Sequence, residues 1–181
     1  MDLAEKIQGQ AAVIERLEQL DEETLKKQSA DGGWSVAECM VHMNLAMEIY
    51  LDQFESMKNS LKPEKKQYNP SFLTRKLIQS QPPDKKGRIR FKIKTMKRLD
   101  PQKSDMPADR SALDRLQQNL SRLEQFEKLM NGKDSRSFKV ETVLGPMLKL
   151  HVGDALKFIT AHNERHFQQI QNILESLEGQ E

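Results

Sequence analysis

Apolar residues recur at steps of three and four in four separate stretches of this chain, and between the stretches that spacing is lost. From Asp2 to about Leu20, the residues Leu3, Ile7, Ala11, Ile14 and Leu17 fall on one face of a helix. Ser29-Ala30-Asp31-Gly32-Gly33 then breaks the pattern with consecutive glycines. A second helix starts at Ser35, an N-cap that forms a capping box with Glu38 three residues on, and it is expected to run to about Ser60. Its stripe is Val36, Cys39, Met43, Met47, Tyr50, Phe54 and Met57, with His42 beside it, and Trp34 is placed to fold back on the helix as a staple. A third helix, with Pro107 in its first turn, carries Leu113, Leu116, Leu120, Leu123, Phe126 and Met130 and ends at Asn131-Gly132. The fourth begins near Val152 or Asp154, and its inward stripe is Ala155, Ile159, His162, His166, Ile170, Ile173 and Leu177.

The connections read differently. Pro63, Pro70, Pro82, Pro83, Pro101 and Pro107 interrupt the chain after the second helix, leaving room for a short helix from Phe72 to Ile78. Arg88 to Lys94 alternates basic and apolar residues at period two, which suits an extended segment with nothing obvious to pair with. The stretch from 132 to about 150 contains Gly145-Pro146 and reads as irregular. Four amphipathic helices, each apolar on one side only, have one economical arrangement. It is an all-α four-helix bundle, here with a long irregular basic connection between helices two and three.

Composition narrows the picture. A chain of 181 residues, 36% hydrophobic, suffices for a single domain over 1–181 with one sizeable core. Cys39, the sole cysteine, excludes an internal disulfide and fits a reducing compartment. Met1 opens directly into a polar helical pattern, and no apolar run approaches membrane-spanning length, so the expectation is a soluble cytoplasmic protein with no membrane partner. The net charge of +2 conceals an asymmetry, because residues 58–98 carry fourteen Lys or Arg against Glu64 and Asp84, a local net of +12. Aromatic residues there are sparse (Tyr68, Phe72 and Phe91), so a solvated or anion-attracting loop is favoured over a nucleic-acid surface.

The chemistry concentrates in histidines. His162 and His166 stand one helical turn apart and project from one face, so both can close on one metal ion. His42, on the inner edge of another helix, is the candidate third ligand. Neutral imidazole suits zinc and nickel, and three protein ligands leave a coordination position open for reaction. The zinc-protease motif is excluded, because Asn163 stands where its general base would be and Glu164 is rotated a further ~100° around the helix. His151 precedes the helix and lies outside the stripe, which suits a solvent-facing or capping role. Cys39 reads as a small buried apolar residue, while Asn44 and Glu48 on the flanks of helix two read either as partners that orient an imidazole or as solvated side chains.

Two segments carry a family resemblance. Trp34-Ser35-Val36-Ala37-Glu38-Cys39-Met40-Val41-His42-Met43-Asn44 resembles the start of helix two in the DinB/YfiT-like superfamily, and Ala161-His162-Asn163-Glu164-Arg165-His166-Phe167-Gln168-Gln169 resembles its helix-four signature. Order, separation and placement on helices match as well, over roughly the whole chain. The resemblance implies a four-helix bundle holding a divalent metal, commonly nickel or zinc, on His42, His162 and His166. It also implies a choice among thiol S-transferases that use bacillithiol-like thiols, mycothiol-dependent isomerases and metal-dependent hydrolases, often homodimeric. The basic connection and the Arg88–Lys94 alternation match no family motif.

The leading expectation is therefore an enzyme in which a divalent metal activates a low-molecular-weight thiol against an electrophilic small-molecule substrate. The basic segment would attract the carboxylates of such thiols. Hydrolysis of a small ester or amide is the alternative, weakened by the lack of a general base. A DNA-associated or partner-binding bundle is the non-enzymatic alternative, motivated by the +12 segment.

Overall fold

The computed structural model describes residues 3–28, 32–84, 86–89 and 95–178, and within them the protein is mostly helical. Six helices run in order: α1 (Leu3–Leu17), α2 (Glu22–Lys26), α3 (Val36–Met57), α4 (Phe72–Gln79), α5 (Arg110–Leu129) and α6 (Val152–Glu178). The antiparallel strands β1 (Lys139–Thr142) and β2 (Gly145–His151) form a hairpin between α5 and α6. Helices α1 and α3 each pack against both α5 and α6, so the core lies between these four, and among the described residues no helix is long and apolar enough to cross a membrane.

The capping box at the start of α3 is formed. Ser35 Oγ accepts the Glu38 amide proton at 3.1 Å, and Glu38 Oε2 accepts that of Ser35 at 2.9 Å. Beyond it, α3 is not apolar on one side only. Val36, Ala37, Cys39, Met40, Val41, Met43, Ala46 and Met47 are all buried, because α2, α5, α6 and the hairpin enclose the helix from several directions. The α6 stripe is buried at every expected position from Ala155 to Leu177. In α1 the expected Ile7, Ile14 and Leu17 are buried, but one position of the stripe differs. Ala11 is exposed and Gln10 is buried instead, its side-chain amide donating to the Thr160 carbonyl of α6 at 2.9 Å.

Several boundaries depart from the sequence reading. Helix α1 stops at Leu17, and Asp21 caps the separate α2 by accepting from the Thr24 amide at 2.7 Å. Helix α5 starts three residues beyond Pro107, because Asp109 takes the Ser111 amide proton at 2.9 Å and becomes the N-cap. The stretch expected to be irregular contains the hairpin, so the fold is not purely α-helical. Lys139 to Thr142 alternates exposed and buried residues as a one-sided strand must. Gly145, at φ +120°, takes a conformation open to glycine just after the turn. The helix from Phe72 forms as expected. Of the alternating basic segment, Arg90–Lys94 lies outside the described residues, as do Asp2 and Ser29–Asp31.

Candidate metal centre

Three imidazoles from two helices converge at one end of the core. His42 follows the capping box on α3, while His162 and His166 stand one turn apart on α6. One ring nitrogen of each lies within 4.8 Å of the others, and all three residues are buried. Oxygen atoms orient two of the rings. His42 Nδ1 is 2.7 Å from the Leu99 carbonyl, and His166 Nδ1 is 3.1 Å from Gln169 Oε1. Carbonyl oxygens only accept, so each Nδ1 carries the proton and each Nε2 keeps its lone pair.

His162 Nδ1 makes no hydrogen bond of ordinary geometry, with the Asn163 side chain as a weak polar neighbour. Its Nε2 lies 3.4 Å from Nε2 of His42. Two ligand nitrogens on a tetrahedral ion, each ~2.0–2.1 Å from it, stand about 3.3 Å apart, so this spacing fits a shared cation. The protonation states fit too. Burial pushes His162 down to about 3, helped by His42 and Arg165. Burial likewise holds His166 well below the ordinary histidine value, and it lowers His42 against the opposing Leu99 carbonyl and Asp100 carboxylate. Neutral imidazole is the form that ligates metal, so the three-histidine group could hold an ion without first shedding protons.

The chain around the group is held in place by hydrogen bonds from distant segments. Leu99 ends a 3-10 turn, Lys97–Leu99, whose Arg98 donates from Nη2 to the Thr142 and Val143 carbonyls at 2.8 and 2.6 Å. The Val143 amide donates to the Tyr50 hydroxyl at 3.2 Å, joining α3, the hairpin turn and the basic connection. The Trp34 ring packs 5.0 Å from His42, and Phe158 lies nearly parallel to His162 at 6.3 Å. A cavity of about 820 Å³ opens above the imidazoles. Its wall includes Leu77 of α4, Met96 and Leu99 of the connection, Val143 of the hairpin turn, and Arg165 and Ile173 of α6.

The model of the DinB superfamily matches residues 7–170, a span that includes all three histidines. The chain belongs to the DinB superfamily. Neither a curated protein nor a solved structure matches it.

In this DinB chain the other sequence candidates sit elsewhere. Asn44 and Glu48 do not orient an imidazole. Asn44 donates to the Ala112 carbonyl at 2.8 Å and Glu48 accepts from Arg115 at 2.5 Å, so both fasten α3 to α5. His151 neither faces solvent nor joins the group, since its partly buried ring meets the Tyr68 ring at 5.5 Å. Burial raises the Cys39 thiol far above its ordinary pKa, as suits a packed, inert residue. Trp34 does more than staple the helix, because it also lines the cavity.

Sequence reasoning missed three contributors. Gln169 was visible at the end of the helix-four segment, three residues from His166, without an assigned role. Arg165, within the same segment, is 9% exposed and faces the cavity. The Leu99 carbonyl left no trace at all, being backbone in an irregular stretch. Among the described residues, every Lys and Arg of 58–98 is exposed, while apolar residues of the same connection wall the cavity.

Proposed function

We propose that this protein is a divalent-metal enzyme in which His42, His162 and His166 hold zinc or nickel and a low-molecular-weight thiol is transferred to an electrophilic small molecule. The observation that carries the proposal is the meeting of three buried imidazoles, with ligand atoms within 4.8 Å, beneath a cavity of about 820 Å³. A bound divalent ion supplies an open position where a thiol loses its proton and becomes nucleophilic at neutral pH.

The chain's own residues prepare that position. Leu99 and Gln169 fix the rings of His42 and His166, so that reorganisation on metal uptake is small. Phe158 and Trp34 flank the imidazoles and limit water around them. Hydrolysis is the weaker reading of the same site, since no carboxylate among the described lining residues stands ready to take a proton from water. A thiol that gives its proton to solvent needs none. In group transfer a carbon–sulfur bond forms as the electrophile's leaving group departs with its electron pair.

The same reading takes the four long helices as the family's four-helix bundle and residues 1–181 as one domain acting in the cytoplasm, as a homodimer. Membership of the DinB superfamily and the single buried cysteine support it.

Metal analysis of the purified protein, with His42→Ala and His162→Ala beside it, is the first test. About one zinc or nickel per chain, lost in both variants, is expected. Conjugation of a panel of low-molecular-weight thiols to a chlorodinitrobenzene electrophile should then require the metal and disappear in His162→Ala. Metal-loaded protein inert toward the whole panel would overturn the transferase assignment.

A further inference from the structure

Two buried neighbours in the metal centre are each left with an unused polar atom. Among the described residues, four buried side-chain polar atoms lack a hydrogen-bond partner of ordinary geometry, and His162 Nδ1 and Asn163 Oδ1 are two of them. His162 is 7% exposed and Asn163 is fully buried, so neither atom has ready access to water. The Asn163 amide belongs to a chain that begins on a backbone carbonyl. Gln10 of α1, itself buried, donates from Nε2 to the Thr160 carbonyl at 2.9 Å, which leaves its Oε1 as an acceptor. Asn163 Nδ2 donates to that Oε1 at 3.4 Å and lies 3.3 Å from Met47 Sδ. A carbonyl only accepts, so Thr160 fixes the direction of every bond in the chain. The far end is Asn163 Oδ1, an acceptor, beside the His162 ring that precedes it on α6.

We propose that Asn163, held by Gln10, is a positioning residue for His162: its Oδ1 takes the Nδ1 proton and so keeps the Nε2 lone pair turned toward the metal. Resting on the metal reading above, this role gives the third ring the kind of partner that Leu99 and Gln169 give His42 and His166. A turn of the ring as it seats on the ion completes the bond. The tautomer of His162 is open to competition. Its Nε2 lies 3.4 Å from Nε2 of His42, so the opposite tautomer, with the proton on Nε2, donates to His42 and occupies both ligand atoms at once. An acceptor on Nδ1 favours the ligating tautomer instead and makes the imidazole a stronger ligand. Asn163 stands where a metalloprotease carries its general base. An amide there cannot take a proton from water, but it accepts a hydrogen bond from a ligand ring without adding charge. Through Gln10 the same chain ties α1 to a centre whose ligands all come from α3 and α6.

Two readouts on the full-length protein test the role: zinc affinity by chelator competition, and the imidazole N–H proton signals of the zinc-loaded form. Asn163→Leu should weaken zinc binding about 10- to 100-fold and move the His162 Nδ1–H signal upfield, with those of His42 and His166 in place. Asn163→Asp keeps the acceptor and should recover most of the affinity. Gln10→Leu, which only loosens the amide, should cause a smaller loss, and it carries the test if Asn163→Leu fails to fold by circular dichroism. An amide with a purely structural role would lower the urea stability of the metal-free protein and leave both readouts unchanged, which overturns the proposal. So does a loss that Asn163→Asp fails to recover, or natural affinity in Gln10→Leu. Zinc uptake that Asn163→Leu changes by less than about twofold defeats this role and leaves the metal reading standing. No zinc uptake by the natural protein defeats both.

Discussion

Acid should destabilise the metal-free protein through its buried imidazoles, by an amount that follows from their placement. His162 and His166 are 7% exposed, and burial lowers the pKa of both, to about 3 for His162. In the unfolded chain each returns to about 6.5. Below that value the unfolded state binds protons that the native state refuses, so stability falls with pH from about 6.5 toward the folded pKa. Between about pH 7.5 and about pH 5.5 each such imidazole removes roughly 1.4 kcal/mol, so the pair removes about 3 kcal/mol. His42 and the partly buried His151, both lowered by burial, act in the same direction. The lowered carboxylates, Asp84 at about 2 among them, lose their contribution only as pH falls below the ordinary carboxylate range, outside this window. Urea unfolding with chelator present, at both pH values, measures the loss for the natural protein and for His162→Gln. The variant's loss should be smaller by about 1.4 kcal/mol. Equal losses would refute the account, because His162 would then titrate alike in the folded and unfolded chains.

Three further outcomes are expected. Gln169→Leu removes the acceptor on His166 Nδ1 and should weaken zinc affinity about 10- to 100-fold in a chelator competition, with helical content unchanged; a change under twofold would show that the hydrogen bond does not position the ring. Phe54→Ala, which breaks a stack with Phe126 at 4.3 Å and 7° between α3 and α5, should cost roughly 3–5 kcal/mol in denaturant unfolding. Ser35→Ala should cost about 1 kcal/mol by loss of the capping box, measured the same way, and a neutral result would mean that α3 is held by packing alone.

The parts of the centre legible in the sequence are those written in side-chain periodicity. The α6 stripe places His162 and His166 among Ile159, Ile170 and Ile173, and an imidazole at such a position must face the core. Ser35 and Glu38 mark the start of α3, and that start sets the turn on which His42 stands. What periodicity could not show is contact between distant segments. The hairpin escaped notice because its turn, Val143-Leu144, carries none of the usual hairpin dipeptides and Gly145-Pro146 reads as a loop. Gln10 replaced Ala11 on the inner face of α1 because the Thr160 carbonyl on α6 satisfies its amide, a partnership 150 residues away. Asn44 looked like a partner for an imidazole, but the position of α5 claimed it for the Ala112 carbonyl.

The basic connection shows most directly why charge alone was a poor guide to the site. Its fourteen cations suggested an anion-attracting surface, yet those that are described lie at the exposed surface, where charges are largely screened beyond about 10 Å. Its uncharged atoms reach the centre. Leu77, Met96 and Leu99 wall the cavity, and the Leu99 carbonyl fixes the tautomer of His42. That carbonyl is held by a turn that Arg98 fastens to the hairpin, so an exposed cation bears on His42 through two backbone carbonyls rather than through its field.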